Sequence, residues 1–174
     1  MKKFFSFSGT INGKIFFLRT LFTLVLTLPV FGVLISKWTA YVMSLGNFDV
    51  YDTSPENLLQ IEFFADELAQ KIAENYEFYS NDFIDSFTAG WIFMLIISAM
   101  PSIWFILTTY YKRVSALFFD HRIRVFTSII LFELVSYYIS FNNPGLISSI
   151  MSLIWWIIFA FLILVDSKFE NHEG

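Results

Sequence analysis

The spacing of charge, more than any motif, limits what this chain can fold into. Thr20–Ser36 is uncharged between Arg19 and Lys37, Ser86–Tyr111 is uncharged between Asp85 and Lys112, and Val125–Val165 carries only Glu133. A bilayer core about 30 Å thick takes roughly 20 residues of helix at about 1.5 Å rise each. The first gap, with Ile15–Leu18 added, suits one span, and so does the second. The third is too long for one. Asn142-Asn143-Pro144-Gly145 divides it with turn chemistry: two Asx residues, a fixed φ, then a residue free to take positive φ. The expected fold is therefore an all-α polytopic membrane protein with four transmembrane helices, over about 15–39, 87–111, 124–141 and 146–165.

Composition agrees. The chain is 56% hydrophobic and 15% charged with a mean hydropathy of +0.63, against roughly 45–50% apolar and about a quarter charged in soluble domains. Aromatic residues at 21% exclude a disordered chain. With 11 Lys+Arg against 15 Asp+Glu there is no basic surplus for nucleic acid. The chain has no cysteine, hence no disulfide or thiolate chemistry. It also lacks a glycine-rich phosphate loop and a nucleophile elbow, and His121 and His172 lack metal-ligand spacing. No cofactor and no catalytic residue is expected.

The third span is the weakest. A charge at mid-helix costs about 2.5–3.5 kcal/mol on insertion scales, and each neighbouring Ile, Leu, Phe or Val returns about 0.3–0.6. A re-entrant or interfacial 124–141 is the competing reading. Lys2 and Lys3 resemble the start of a secretory signal. Ser8–Gly13 separates them from the apolar run and no small-x-small cleavage site follows, so the first helix is expected to remain.

Orientation follows from short-loop Lys and Arg. Lys2, Lys3, Lys14 and Arg19 precede the first span, and Lys112, Arg113, Arg122 and Arg124 follow the second. Between them, Ala40–Asp85 holds Lys71 alone beside ten acids. Four spans put both basic segments on one face, so the termini are expected to be cytoplasmic and the acidic loop extracytoplasmic. Trp38, Tyr41, Trp91, Tyr110 and Tyr111 lie near the expected helix ends, where amphipathic aromatics prefer the interface.

The acidic loop reads as a helix over 53–77. Thr53-Ser54-Pro55-Glu56 offers a cap, a first-turn proline and a capping-box glutamate. Leu58, Ile61, Ala65, Leu68, Ile72 and Tyr76 then make one apolar stripe at helical spacing, a candidate partner-contact surface. The stripe either packs on the chain's own helices or meets a second copy or another membrane protein. Cation binding by the loop carboxylates is a third reading, without a calcium-loop pattern behind it.

Two stretches resemble the bacterial inner-membrane family known as domain of unknown function 805. Phe7-Ser8-Gly9-Thr10-Ile11-Asn12-Gly13-Lys14-Ile15-Phe16-Phe17 is similar to that family's F-x-G-R-I-x-R-x-x-F-W entry motif, with Thr10 and Gly13 in place of its arginines. Lys112-Arg113-Val114 matches the start of its K-R-L-H-D motif, with Ser115 and Ala116 where His and Asp would stand. The resemblance implies a small multi-pass protein of a bacterial inner membrane with no established chemistry. The acidic helix is not part of it. The phenylalanines at 4, 5 and 7 beside Lys2 and Lys3 suit an interfacial stub, and Gly9 and Gly13 would let the chain turn into the first helix.

Glu133 lies nine residues after Arg124, about 13 Å into the membrane at helical rise. Arg19 is its candidate partner, by pairing inward or else snorkelling to headgroups, and Tyr137 a candidate neighbour. Glu133 can serve a structural ion pair or hydrogen bond, a proton or ion pathway, or a contact with a partner helix. Pro101 is expected to kink the second span, freeing the Ile97 carbonyl. Ser98/Ser102, Ser148/Ser152 and Gly145/Ser149 are small-x-x-x-small pairs that allow close helix approach.

Three functions compete. The first is a non-enzymatic assembly or regulatory subunit acting by protein contact in the lipid bilayer, with a membrane-protein partner or a second copy. The second is a small channel or transporter using Glu133, and the third a holin-like permeabilising protein.

Overall fold

The computed structural model describes residues 4–49, 51–52, 54–143 and 145–167. Lys2, Lys3, Thr53, Pro144 and His172, on which parts of the sequence reading fall, lie outside the described residues. Among those described, every regular element is helical: α1 (Gly13–Leu26), α2 (Leu28–Gly46), α3 (Pro55–Glu74), α4 (Tyr76–Asp85), α5 (Ala89–Leu117), a 3-10 turn (Phe119–His121), α6 (Arg122–Asn142) and α7 (Leu146–Leu164). Four stretches are long and apolar enough to cross a membrane: Gly13–Gly46, Ala89–Leu117, Phe119–Asn142 and Leu146–Leu164. The protein is an all-α polytopic membrane protein, as the charge gaps require.

Helix boundaries depart from the sequence reading for identifiable reasons. The first stretch runs 34 residues and breaks once, at Thr27, because Pro29 in the first turn of α2 cannot donate the amide bond a continuous helix needs. It ends at Asn47, whose left-handed conformation (φ 53°) lets its N–H close on the Met43 and Ser44 carbonyls. Helix α5 continues past Lys112 and Arg113 to Leu117, since both cations are fully buried and do not end the helix. The helix expected over 53–77 is two helices. Asn75 leaves helical geometry (φ −139°, ψ 58°) and donates to the Lys71 carbonyl, so α3 stops at Glu74 and Tyr76 opens α4. Ser54 caps α3, its hydroxyl accepting the Asn57 N–H at 3.3 Å. The Asp52 carboxylate in turn accepts the Ser54 N–H at 2.9 Å, which holds its pKa below the usual carboxylate range.

The chain forms two compact units, Met1–Leu26 with Pro101–Gly174, and Thr27–Met100. In the first, Ile11, Phe16, Tyr110, Val114 and Leu162 make the buried core. Arg113 ties that unit together. Its guanidinium donates to the carbonyls of Leu162 and Val165 at the end of α7 and to that of Ile11 before α1. This satisfies acceptors that a helix C-terminus leaves bare. Gly13 lies against the Ile163 carbonyl so closely that a Cβ there would collide with it. The entry segment folds back onto its own unit: Trp104 Nε1 donates to the Phe5 carbonyl at 2.8 Å, and Phe7 meets Trp104 and Tyr111 edge-on at 5.2 and 5.3 Å.

In the second unit, Trp38, Tyr41 and Phe83 cluster with ring centroids 5.2–5.7 Å apart. Tyr41 donates its hydroxyl to Asp82 at 2.7 Å. Lys37 Nζ donates to the Ser86 carbonyl at 2.9 Å and lies over the Phe87 ring at 5.3 Å. The first basic residue after the uncharged gap thus caps the carbonyl end of α4.

Candidate functional site

Helices α6 and α7 form a hairpin with a polar seam. On α6, Glu133, Ser136, Tyr137 and Ser140 recur at helical spacing, and on α7 Ser148, Met151, Ser152 and Trp155 do the same, with Trp156 alongside. One face of each helix is therefore polar over two turns, and these faces line an open groove of about 350 Å³. Within it, Ser136 Oγ lies 3.8 Å from Met151 Sδ, and one turn nearer the start of α6 Glu133 shares the groove lining with Trp155. The indole has only a donor to offer. Trp155 is held in turn by Phe159, stacked at 5.2 Å and 10°. Glu133, Ser136 and Ser140 are half-buried, and Tyr137 and Trp156 are exposed.

Among the described residues, Arg19 makes its hydrogen bonds away from Glu133. It lies in the seam between α1 and α5, 3% exposed. It donates to Thr109 Oγ1 at 3.0 Å and to the Phe4 carbonyl at 2.6 Å. The rings of Phe4 and Phe105 lie 4.6 Å from its guanidinium carbon. Two aromatic faces and two oxygen acceptors take the place of a counter-ion.

The stripe of the acidic helix is divided. Ile61, Ala65, Leu68 and Ile72 face Trp38, Thr39, Val42 and Met43 of α2 across a cavity of about 310 Å³, with Leu68 only 4% exposed. Leu58 is exposed, and Tyr76, on α4, is 71% exposed. Leu68 is buried and Ile61 and Ile72 are half-buried toward the chain's own helix, while Ala65 and the two ends of the stripe stay exposed. The acids off the stripe form no cluster suited to a metal ion among the described residues. One ion pair joins Glu67 to Lys71 at 2.7 Å and raises the lysine pKa. Pro101 sits inside α5, which continues through it, and the boundary between the two units falls at Met100–Pro101.

Sequence reasoning named Glu133 and Tyr137 and paired Ser148 with Ser152, but did not join them. The signal was present as two polar repeats at spacings of three and four, running toward each other across the Asn-Asn-Pro-Gly turn. Tested against known proteins, the chain matches no family model, no curated protein and no solved structure.

Proposed function

We propose that this chain is a non-enzymatic assembly or regulatory subunit of a bacterial inner-membrane complex, with both termini cytoplasmic and α3 extracytoplasmic, and that it grips a partner's transmembrane helix in the α6–α7 groove. One observation carries the reading: a carboxyl group near the middle of α6 and four serines line an open groove that runs from there toward the turn between two helices long enough to cross a membrane. Lipid tails have no donor for a carboxylate and no partner for hydroxyls, whereas a neighbouring helix can supply both. The occupant is a helix with a donor side chain (Lys, Arg, Asn or Gln) at the depth of Glu133. Groove-to-groove pairing of two copies would set two Glu133 carboxyls against each other, which disfavours self-association through this face. The likeness to domain of unknown function 805 supports the bacterial setting. The loop charges, with Lys and Arg on one side of the spans and ten acids on the other, support the orientation.

The test is site-specific photocrosslinking in intact membranes from Ser140 and Ser152, with the captured peptide sequenced. The reading predicts a transmembrane peptide with a donor residue, and loss of the crosslink in Glu133→Leu. Crosslinks only to lipid from both positions would overturn it. Reporter fusions at the termini and within 54–85 check the orientation. A channel or transporter could use the same Glu133 and serine lining. It predicts proton or cation flux in liposomes that Glu133→Gln removes.

A further inference from the structure

A second cavity, separate from the α6–α7 groove, lies where the entry segment meets the end of α5 and the start of α6. We propose that it binds a phosphate oxyanion, an assignment independent of the partner-helix reading above. The cavity holds about 200 Å³, and Ser8, Thr10, Ser115 and Arg122 are among the residues that line it.

Four observations converge. Ser115 is 3% exposed and its hydroxyl is buried without any hydrogen-bond partner. A buried hydroxyl left unsatisfied is a rare and costly arrangement, and this one borders the cavity. Arg122 stacks its guanidinium over the Phe119 ring at 4.6 Å, which leaves the N–H edge of the fork for an acceptor in its plane. No carboxylate lines this cavity among the described residues, and Asp120 on the adjoining turn lines a neighbouring one. Gly9, with φ 84°, bends the entry segment so that Ser8 and Thr10 reach the same cavity.

The Arg122 fork and the unpartnered Ser115 hydroxyl, beside Ser8, which shares a hydrogen bond with Ser6 at 2.8 Å, and Thr10, make a polar, carboxylate-free lining. Those are the elements that recognise a tetrahedral oxyanion with several acceptor oxygens. The remaining wall is aromatic, from Phe7 and Tyr111, and suits the glycerol and upper acyl carbons attached to a lipid phosphate. The cavity stands at the ends of two spans, the level at which phospholipid headgroups meet protein. A phospholipid and a soluble phosphate share this chemistry, and the experiment separates them.

The full-length protein is placed in phosphatidylcholine nanodiscs with or without phosphatidylglycerol, and its thermal midpoint and retained lipid (by native mass spectrometry) are measured. In a parallel arm inorganic phosphate is titrated into the phosphatidylcholine sample. Phosphatidylglycerol is expected to raise the midpoint and remain bound. Arg122→Gln should weaken binding about tenfold or more, as loss of a charge-assisted bond does. Ser115→Ala should weaken it severalfold while leaving the lipid-free protein as stable as before or more so, since it removes an unsatisfied group. Arg124→Gln, outside the cavity, should change nothing. If Arg122→Gln does not fold, Arg122→Lys, which keeps the charge and loses the fork, should weaken binding severalfold. A response to inorganic phosphate with the same variant pattern assigns the ligand to solution and keeps the site. Binding of neither ligand, or equal binding by wild type, Ser115→Ala and the Arg122 variant, overturns the proposal.

Discussion

The α2–α3 pair and the α6–α7 pair each present a stripe at helical spacing, and they treat it in opposite ways. On α3 the stripe is apolar, and its middle is partly covered by Trp38, Thr39, Val42 and Met43 of the same chain. On α6 and α7 the stripes are polar, and the groove between them stays open with Trp155 and Glu133 both in its lining. An apolar stripe on an otherwise acidic helix can be covered by any apolar neighbour, and α2 is adjacent. A carboxyl with serines at membrane depth needs a donor of defined geometry, and one indole in the lining can meet only part of that need. The difference separates a stripe used for folding from one left available for recognition.

That contrast can be broken by mutation, beginning with the largest effect. Leu68→Ala removes the most buried side chain of the α3 stripe and should cost about 2–5 kcal/mol, seen as a lower midpoint on thermal unfolding in detergent. A cost near zero would mean that the α2–α3 contact is not what holds α3. Tyr41→Phe removes the donor to Asp82 and should cost about 0.5–1.5 kcal/mol by the same assay, since water can replace the phenol at this exposed carboxylate. Glu133→Leu should alter the stability of the isolated protein by only about 0.6 kcal/mol, the typical size of a side-chain bond between membrane helices, while abolishing the Ser140 crosslink. A large stability loss with the crosslink intact would turn the comparison around and make the groove a structural seam. The smallest effect is local. Since the folded-state pKa of Asp52 is depressed, its support of the α3 cap is present above the ordinary carboxylate pKa and is lost as pH falls through the folded value. The protection of amides in the first turn of α3, taken relative to the intrinsic exchange rate at each pH, should therefore fall in acid compared with pH 7, and Asp52→Ala should remove that pH dependence.

Much of this architecture is legible in the sequence because hydrocarbon imposes one rule, a long interval without charge. Thr20–Ser36, Ser86–Tyr111 and the interval split at Asn142–Gly145 each obey it. The rule says less about residues that end such intervals. Lys37, Lys112 and Arg113 read as the limits of spans, yet all three are buried. Lys37 and Arg113 occupy the carbonyl ends of other helices, contacts set by tertiary packing that no local pattern encodes. Arg19 was matched to Glu133 by charge, whereas the structure supplies it with Phe4, Phe105 and Thr109, a solution available only where three segments meet. The break at Asn75 was masked by the regularity of the stripe across it. The groove was missed for a different reason: its two halves lie on separate helices, and each alone resembles ordinary small-residue packing.

The Arg113 contacts carry a consequence for biosynthesis. The residues that receive this guanidinium lie at opposite extremes of the chain, Ile11 near its start and Leu162 and Val165 close to its last span. During translation Arg113 is therefore made about fifty residues before two of its three acceptors. Until α7 leaves the ribosome, a nascent chain offers this guanidinium only one of its three acceptors, the Ile11 carbonyl. Any product arrested short of that helix keeps the defect permanently, a mark by which membrane proteases could tell unfinished copies from finished ones.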